Sequence, residues 1–297
     1  MKNMKSGKQR KRINPFTAVM LAVLVLHSLS LILLVFWGAV SSFKTDYDFR
    51  FNTYGFPKEM TFSNFALVWE NFGTSVRIGL DLVRFYIEDL FVNSLIYSLS
   101  AALVGTMSHA VMGYLTAKFP FKISKVLTAI VLTTMVLPII GTLPSLLQVV
   151  TALGIYDTWI GIWFMNAGFL GMNFLIFQAA FKAIPADFGD AAKVDGAKNF
   201  SVFASIMLPL VMKTFSLLYL LSFIGLWNDY GTALIFLPSK PTIAIGLFYF
   251  NLARDGVMGA IPVKLAAAVM SLLPVLIIFA LFHKKLLGNL SLGGIKG

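Results

Sequence analysis

The stretch Lys182-Ala-Ile-Pro185-Ala-Asp187-Phe188-Gly-Asp190-Ala191-Ala192-Lys-Val194-Asp195-Gly196-Ala197-Lys-Asn-Phe200-Ser-Val-Phe203-Ala-Ser-Ile206-Met207-Leu208-Pro209 is a polar island between long apolar runs. Pro185 suits a first helical turn, where its missing N–H costs nothing. Asp187 and Asp190 fall in the early turns, where the helix dipole favours negative charge. Gly196 then breaks or bends the helix, and Pro209 closes the segment before the next apolar run. The pattern predicts a helix–bend–helix lying at a membrane surface. Small residues at its centre (Ala191, Ala192, Gly196, Ala197) let another backbone approach closely. Phe188, Val194, Phe200 and Phe203 offer anchors for a partner's groove. An interfacial amphipathic helix that serves only topology fits the same residues. Local physics leaves the two readings level.

Outward from this island, the apolar runs are of membrane-crossing length, roughly 20 residues. They fall at Thr17–Ser42, Leu90–Ala117, Val126–Tyr156, Thr158–Phe181, Thr214–Asn228 (continuing past Asp229 to Phe236) and Leu265–Phe282. The chain is 58% hydrophobic and only 12% charged, against about 25% charged for a soluble domain. The expected fold is therefore an all-α integral membrane protein of six transmembrane helices. The first twelve residues hold Lys2, Lys5, Lys8, Arg10, Lys11 and Arg12, which places that end in the cytoplasm. Alternating from there, inner segments carry 16 basic and 3 acidic residues and outer segments 8 basic and 10 acidic. That asymmetry supports six spans with both termini inside; five spans would strand Lys284, Lys285 and Lys296 outside. The first apolar run is too long for a cleaved signal core of 7–15 residues.

This gives a basic N-terminus over 1–15, a transmembrane domain over 16–285 with the inner loop 182–213, and a cytoplasmic tail over 286–297. The outer segment Phe43–Asp89 is expected to form short helices over the mouth of the bundle. The net charge of +11 is spent on topology, so nucleic acid is not an expected partner; the lipid bilayer is. The lack of cysteine excludes disulfides, thiol catalysis and thiolate metal sites, and His27, His109 and His283 are too scattered for a metal cluster. No G-x-x-x-x-G-K-[S/T] phosphate loop occurs, so no ATP site is expected on this chain.

The island also resembles a known signature. Permease subunits of bacterial ABC importers carry a cytoplasmic loop of pattern E-A-A-x-x-x-G, nine residues, then I-x-L-P. Here Asp190-Ala191-Ala192 is followed by Gly196 and, after nine residues, by Ile206-Met207-Leu208-Pro209. Asp190 stands where Glu is usual, keeping the charge on a side chain one methylene shorter. Ser42-Phe43-Lys44, Asn93-Ser94-Leu95, Leu226-Trp227-Asn228 and the closing Gly293-Gly294-Ile295-Lys296-Gly297 extend the similarity, toward the second permease of maltose/oligosaccharide-type importers. The resemblance implies a homologous second permease, an ATPase dimer carrying the ATP and Mg, and an extracytoplasmic solute-binding protein. It implies no enzyme activity and no cofactor on this chain. It implies that Pro185–Asn199 is a coupling helix seated on one ATPase subunit, and that Lys296 and Gly297 face the ATPases.

Three further sites are singled out. Asp229 is a carboxylate inside an otherwise apolar run, and such groups mark transport paths by default. With Trp227 and Asn228 it could meet a sugar by stacking and hydrogen bonds; alternatively it caps a shorter span, with Trp227 in an interfacial belt. The segment Phe248–Gly256, with Phe250, Asn251, Arg254 and Asp255, is expected as an outer loop that meets the binding protein, or as a simple re-entry of aromatics. Pro138, Pro144 and Pro274 are kinks or hinges, and His109 a packing residue. A permease for glycerol phosphate, a polyamine or an amino acid would carry the same loop. An ion-coupled secondary transporter is disfavoured by the single intramembrane Asp and the lack of repeats.

Overall fold

The computed structural model describes residues 14–119, 121–136, 141–252 and 256–287. The chain is mostly helical. Helix α1 (Pro15–Ser41), α4 (Ile87–Lys118) and α15 (Ile261–Leu287) hold, among the described residues, the three helices long and apolar enough to cross a membrane. A fourth arises if Asn199–Leu210 and Met212–Trp227, bent by 79°, count as one span.

The third, fourth and fifth expected spans are not continuous helices, which corrects the sequence reading. The third is split into α5 (Lys122–Val136) and α6 (Thr142–Ala152), and Pro138 lies outside the described residues. The fourth is split into α7 (Trp159–Asn166) and α8 (Met172–Lys182), and the break ends at Gly171, whose φ of +147° favours glycine. Non-helical backbone at membrane depth is tolerated only where protein or a water-filled cavity surrounds it. Here Ser108 Oγ donates to Ala167 O at 2.8 Å, and so satisfies one freed carbonyl of that break.

Glycines set the spacing. A Cβ on Gly113 would sit 2.6 Å from Phe177 Cβ, and one on Gly105 would sit 2.9 Å from Asn166 O. Small residues at such positions allow helix backbones to touch. They seat α8 and α7 against α4, which is the central helix of the bundle.

The outer segment departs furthest from expectation. It holds α2 (Asp46–Phe51), α3 (Ser63–Asn71) and then an antiparallel hairpin of β1 (Gly73–Ile78) and β2 (Asp81–Tyr86), so the described chain is not all-α. Gly79, at φ +64°, turns the corner between the paired Ile78 and Asp81. The Ser42-Phe43-Lys44 motif anchors this cap. The amide of the buried Asn64 donates to Ser42 O and Lys44 O, both at 2.7 Å. The wholly buried Lys44 in turn donates to Thr53 O at 3.2 Å and to Asn52 O at the end of α2. A buried ammonium is tolerable because carbonyls replace its water.

Candidate functional site

The quoted island folds as helix α9 (Asp187–Val194), a turn, α10 (Asn199–Val202), a π-helical turn Phe203–Met207 and α11 (Leu208–Leu210). The bend is at Gly196, whose φ of +83° places it in the left-handed region. Asp187 and Asp190 lie in the first turn of α9, while Pro185 precedes the helix. Pro185, Ala191, Asp195 and Pro209 are exposed or largely so, as are Phe188 (50%), Val194 (87%) and Phe200 (78%). Ala192 and Ala197 are half-buried. Large apolar side chains held out of the core are candidate interface anchors.

Phe203 differs: it is buried, against the expectation that it anchors a partner. It packs with Tyr114, Phe181, Val202, Met207 and Phe215 in a cluster joining α4, α8 and α12 (Met212–Trp227). Tyr114 meets the Phe203 ring at 5.0 Å, Phe181 at 5.4 Å and Phe119 at 5.8 Å. Gly189 lays α9 on this cluster, since a Cβ there would stand 3.1 Å from Met207 Cε. Lys193 lies over the Phe119 ring at 5.7 Å and pairs with Asp190 at 4.0 Å, and Lys118 Nζ donates to Ile184 O. The island is thus fastened to both α4 and α12. Interiors packed to crystal-like density transmit displacement rather than absorbing it.

At the other end of α12 the chain breaks over Asn228–Tyr230 before α13 (Gly231–Phe236). Asp229 sits at this break, not within a helix. Its Oδ1 accepts from Thr232 N at 3.0 Å, capping α13, and its Oδ2 accepts from Tyr97 O–H at 3.3 Å. Trp227 is buried, with Nε1 donating to Ser271 O of α15 at 3.1 Å. Its indole N–H is therefore committed to the protein. The expected loop at Phe248 is helical: α14 (Ile243–Leu252) reaches past it. Asn93 donates to Pro241 O at 3.1 Å and Ser94 Oγ accepts from Ile243 N at 2.7 Å, so the Asn93-Ser94 motif holds the start of α14. Phe250, expected on an exposed loop, is buried against Phe72 with ring centroids 5.1 Å apart; Arg254, Asp255, Lys296 and Gly297 lie outside the described residues.

The structure brings together what the sequence kept apart. Trp227, Asn228 and Asn251 line one cavity of about 570 Å³ between α12, α14 and α15, with Tyr230 and Phe248. On the other side of α12, a cavity of about 270 Å³ is lined by Gly105, His109, Asn166, Ser222 and Gly225. His109 Nδ1 contacts Gly105 O at 2.6 Å and Asn166 Nδ2 donates to Ile162 O at 2.9 Å. Leu217, Leu221 and Gly225, at helical spacing on α12, and Asn228 just past its end form an exposed stripe that reaches both cavities. Sequence reasoning took His109 for packing alone. The signal that could have found the site was the glycine-rich Ala167–Gly171 break facing it.

The model of the binding-protein-dependent transport system inner membrane component family matches residues 109–287. The chain belongs to that family. It is a multi-pass permease subunit of an ABC transporter. Among relatives, the inner membrane ABC transporter permease protein YcjP of Escherichia coli (strain K12) is 30% identical over 70% of this chain and 75% of its own. The galactooligosaccharides transport system permease protein GanQ of Bacillus subtilis (strain 168) is 26% identical over 96% of this chain and 98% of its own. The melibiose/raffinose/stachyose import permease protein MelC of the same organism is 25% identical over 82% and 83%. A solved bacterial ABC transporter involved in the import of the acidic polysaccharide alginate shares the fold, with a TM-score of 0.70 at 20% identity over 95% of this chain and 99% of that one. The matched span runs from the C-terminal half of α4 to the end of α15 and so takes in α9, the bend at Gly196 and α12.

Proposed function

We propose that this permease is one half of the translocation pathway of an ATP-driven importer for a neutral oligosaccharide delivered by an extracytoplasmic binding protein. Six spans then run as α1, α4, α5 with α6, α7 with α8, α12 with α13, and α15, with both termini cytoplasmic. The exposed stripe on α12 faces a homologous permease, and α9 is the coupling helix on an ATPase subunit that binds the ATP and Mg. The carrying observation is mechanical: Phe188, Val194 and Phe200 stand exposed on an element whose buried face is continuous with the aromatic cluster of the spans. Closure of the ATPases would pull α9, and the cluster would pass that motion to α12. The saccharide class is supported by the relatives' named cargoes and by both cavities flanking α12, where no Asp, Glu, Lys or Arg lines them among the described residues.

The test is assembly and uptake. Co-expressed with its neighbouring permease, ATPase and binding protein, the chain should support ATP-dependent uptake of one or more of raffinose, galactooligosaccharides and trehalose. Asp190→Lys should leave membrane insertion intact while lowering ATPase recovery at least about fivefold. Uptake of an amino acid or polyamine and of no saccharide would overturn the cargo. Full ATPase recovery with normal uptake in the variant would overturn the coupling role.

A further inference from the structure

We propose that the 570 Å³ cavity between α12, α14 and α15 is a saccharide-binding station, in which the Tyr230–Phe248 pair carries the apolar face of one sugar ring and the amides of Asn228 and Asn251 meet its hydroxyls. This deepens the oligosaccharide reading and rests on it. The volume lies within the range of small-molecule sites, roughly 300–1,000 Å³. The two rings are stacked, with centroids 4.7 Å apart and planes 10° apart, and Tyr230 remains 44% exposed. The pair therefore presents ring surface at the cavity, whereas both members of the Phe72–Phe250 pair are buried.

The lining discriminates among cargoes. Sugars present C–H faces beside hydroxyl edges, which a rigid aromatic platform with amides at its margin complements. A polyamine, an amino acid or a phosphate ester would need a counter-charge, and among the described residues none that lines the cavity is charged. Asn228 Nδ2 donates to Ile224 O at 2.8 Å, and a lipid tail would leave its remaining amide groups and those of the exposed Asn251 facing hydrocarbon, a cost of about 1–3 kcal/mol for each unmet polar group. Trp227 backs the platform: its bond to Ser271 O ties α12 to α15 and fixes the cavity wall. The Asp229 cap on α13 fixes Tyr230, the residue that follows it.

The experiment uses the assembled permease–ATPase complex, with the binding protein omitted for binding and restored for uptake. The probes are radiolabelled raffinose, galactooligosaccharides and trehalose. Phe248→Leu and Asn251→Ala should each weaken direct binding of the transported saccharide about 5- to 20-fold, and Phe248→Tyr should stay within about twofold of wild type. Basal ATPase activity verifies assembly, and Asn251→Ala carries the test alone if Phe248→Leu fails to assemble. Unchanged binding and uptake in the assembled variants would remove the station while leaving the oligosaccharide importer standing. A wild-type complex that neither binds nor takes up any saccharide would overturn both. Loss of co-purifying lipid in the variants, with saccharide binding intact, would make the cavity a lipid site and overturn the proposal.

Discussion

The two ends of α12 are built on opposite principles. At the end nearer α9 the chain bends by 79° at Val211, between α11 and α12, onto a buried aromatic cluster edged by an apolar groove of about 350 Å³ along Tyr114, Phe119, Phe200 and Phe203. At the outer end it breaks at Asn228–Tyr230 beside a cavity of about 570 Å³. Sixteen residues separate them, about 24 Å of helix at 1.5 Å per residue. Buried rings in contact pass on a push; a larger cavity edged by exposed amides leaves room for a polar guest. The difference shows how one helix can join a lever to a binding site.

The comparison breaks most readily at its packed end. Phe181, fully buried between Tyr114 and Phe177, should lose about 3–5 kcal/mol when changed to Ala. Heat-induced unfolding of the purified complex would measure it, and a loss under about 1 kcal/mol would mean that the cluster is not the rigid link described. At the bend, Gly196→Val should cost about 1–2 kcal/mol, because a side chain at φ +83° clashes with its own carbonyl. The neighbourhood is open, so the strain stays local. The solute carried per ATP hydrolysed should fall severalfold, as measured in proteoliposomes, with insertion unaffected. At the other end, Trp227→Phe should cost about 1–3 kcal/mol, the bond to Ser271 O together with the packing lost by a smaller ring in a buried site. Thermal unfolding would sharpen the contrast if this change proves smaller than that of Phe181→Ala.

The inner end was legible in the residues because its requirements are local. A bend needs a residue free to take positive φ, an early helical turn favours acids, and Asp190, Gly196 and Ile206–Pro209 sit at fixed separations along the chain. The outer region was not legible, for two physical reasons. Hydropathy does not register a helix break when the broken residues are themselves apolar, as in Ala167–Gly171, so five residues of coil read as span. The hairpin was overlooked because the aromatic Thr61–Phe72 stretch before it reads as helix. Its own signal was present: β-branched and aromatic residues (Val76, Ile78, Val83, Phe85) flank a Gly79-Leu80 corner. Trp227 illustrates a different limit. Its position was found, but whether an indole faces a solute or a neighbouring helix depends on Ser271, 44 residues away.

Helix α1 carries a consequence of its own. Among the described residues its positions 15–36 are exposed, and the contacts that hold it to the rest of the chain lie near its C-terminal end, with Trp37 Nε1 on Thr53 O at 2.9 Å and Gly38 against Leu265. A rod of roughly 40 Å that its own chain grips at one end leaves most of its length to be met by lipid or by a neighbouring subunit, so its tilt answers to bilayer thickness and assembly rather than to the packing around α12.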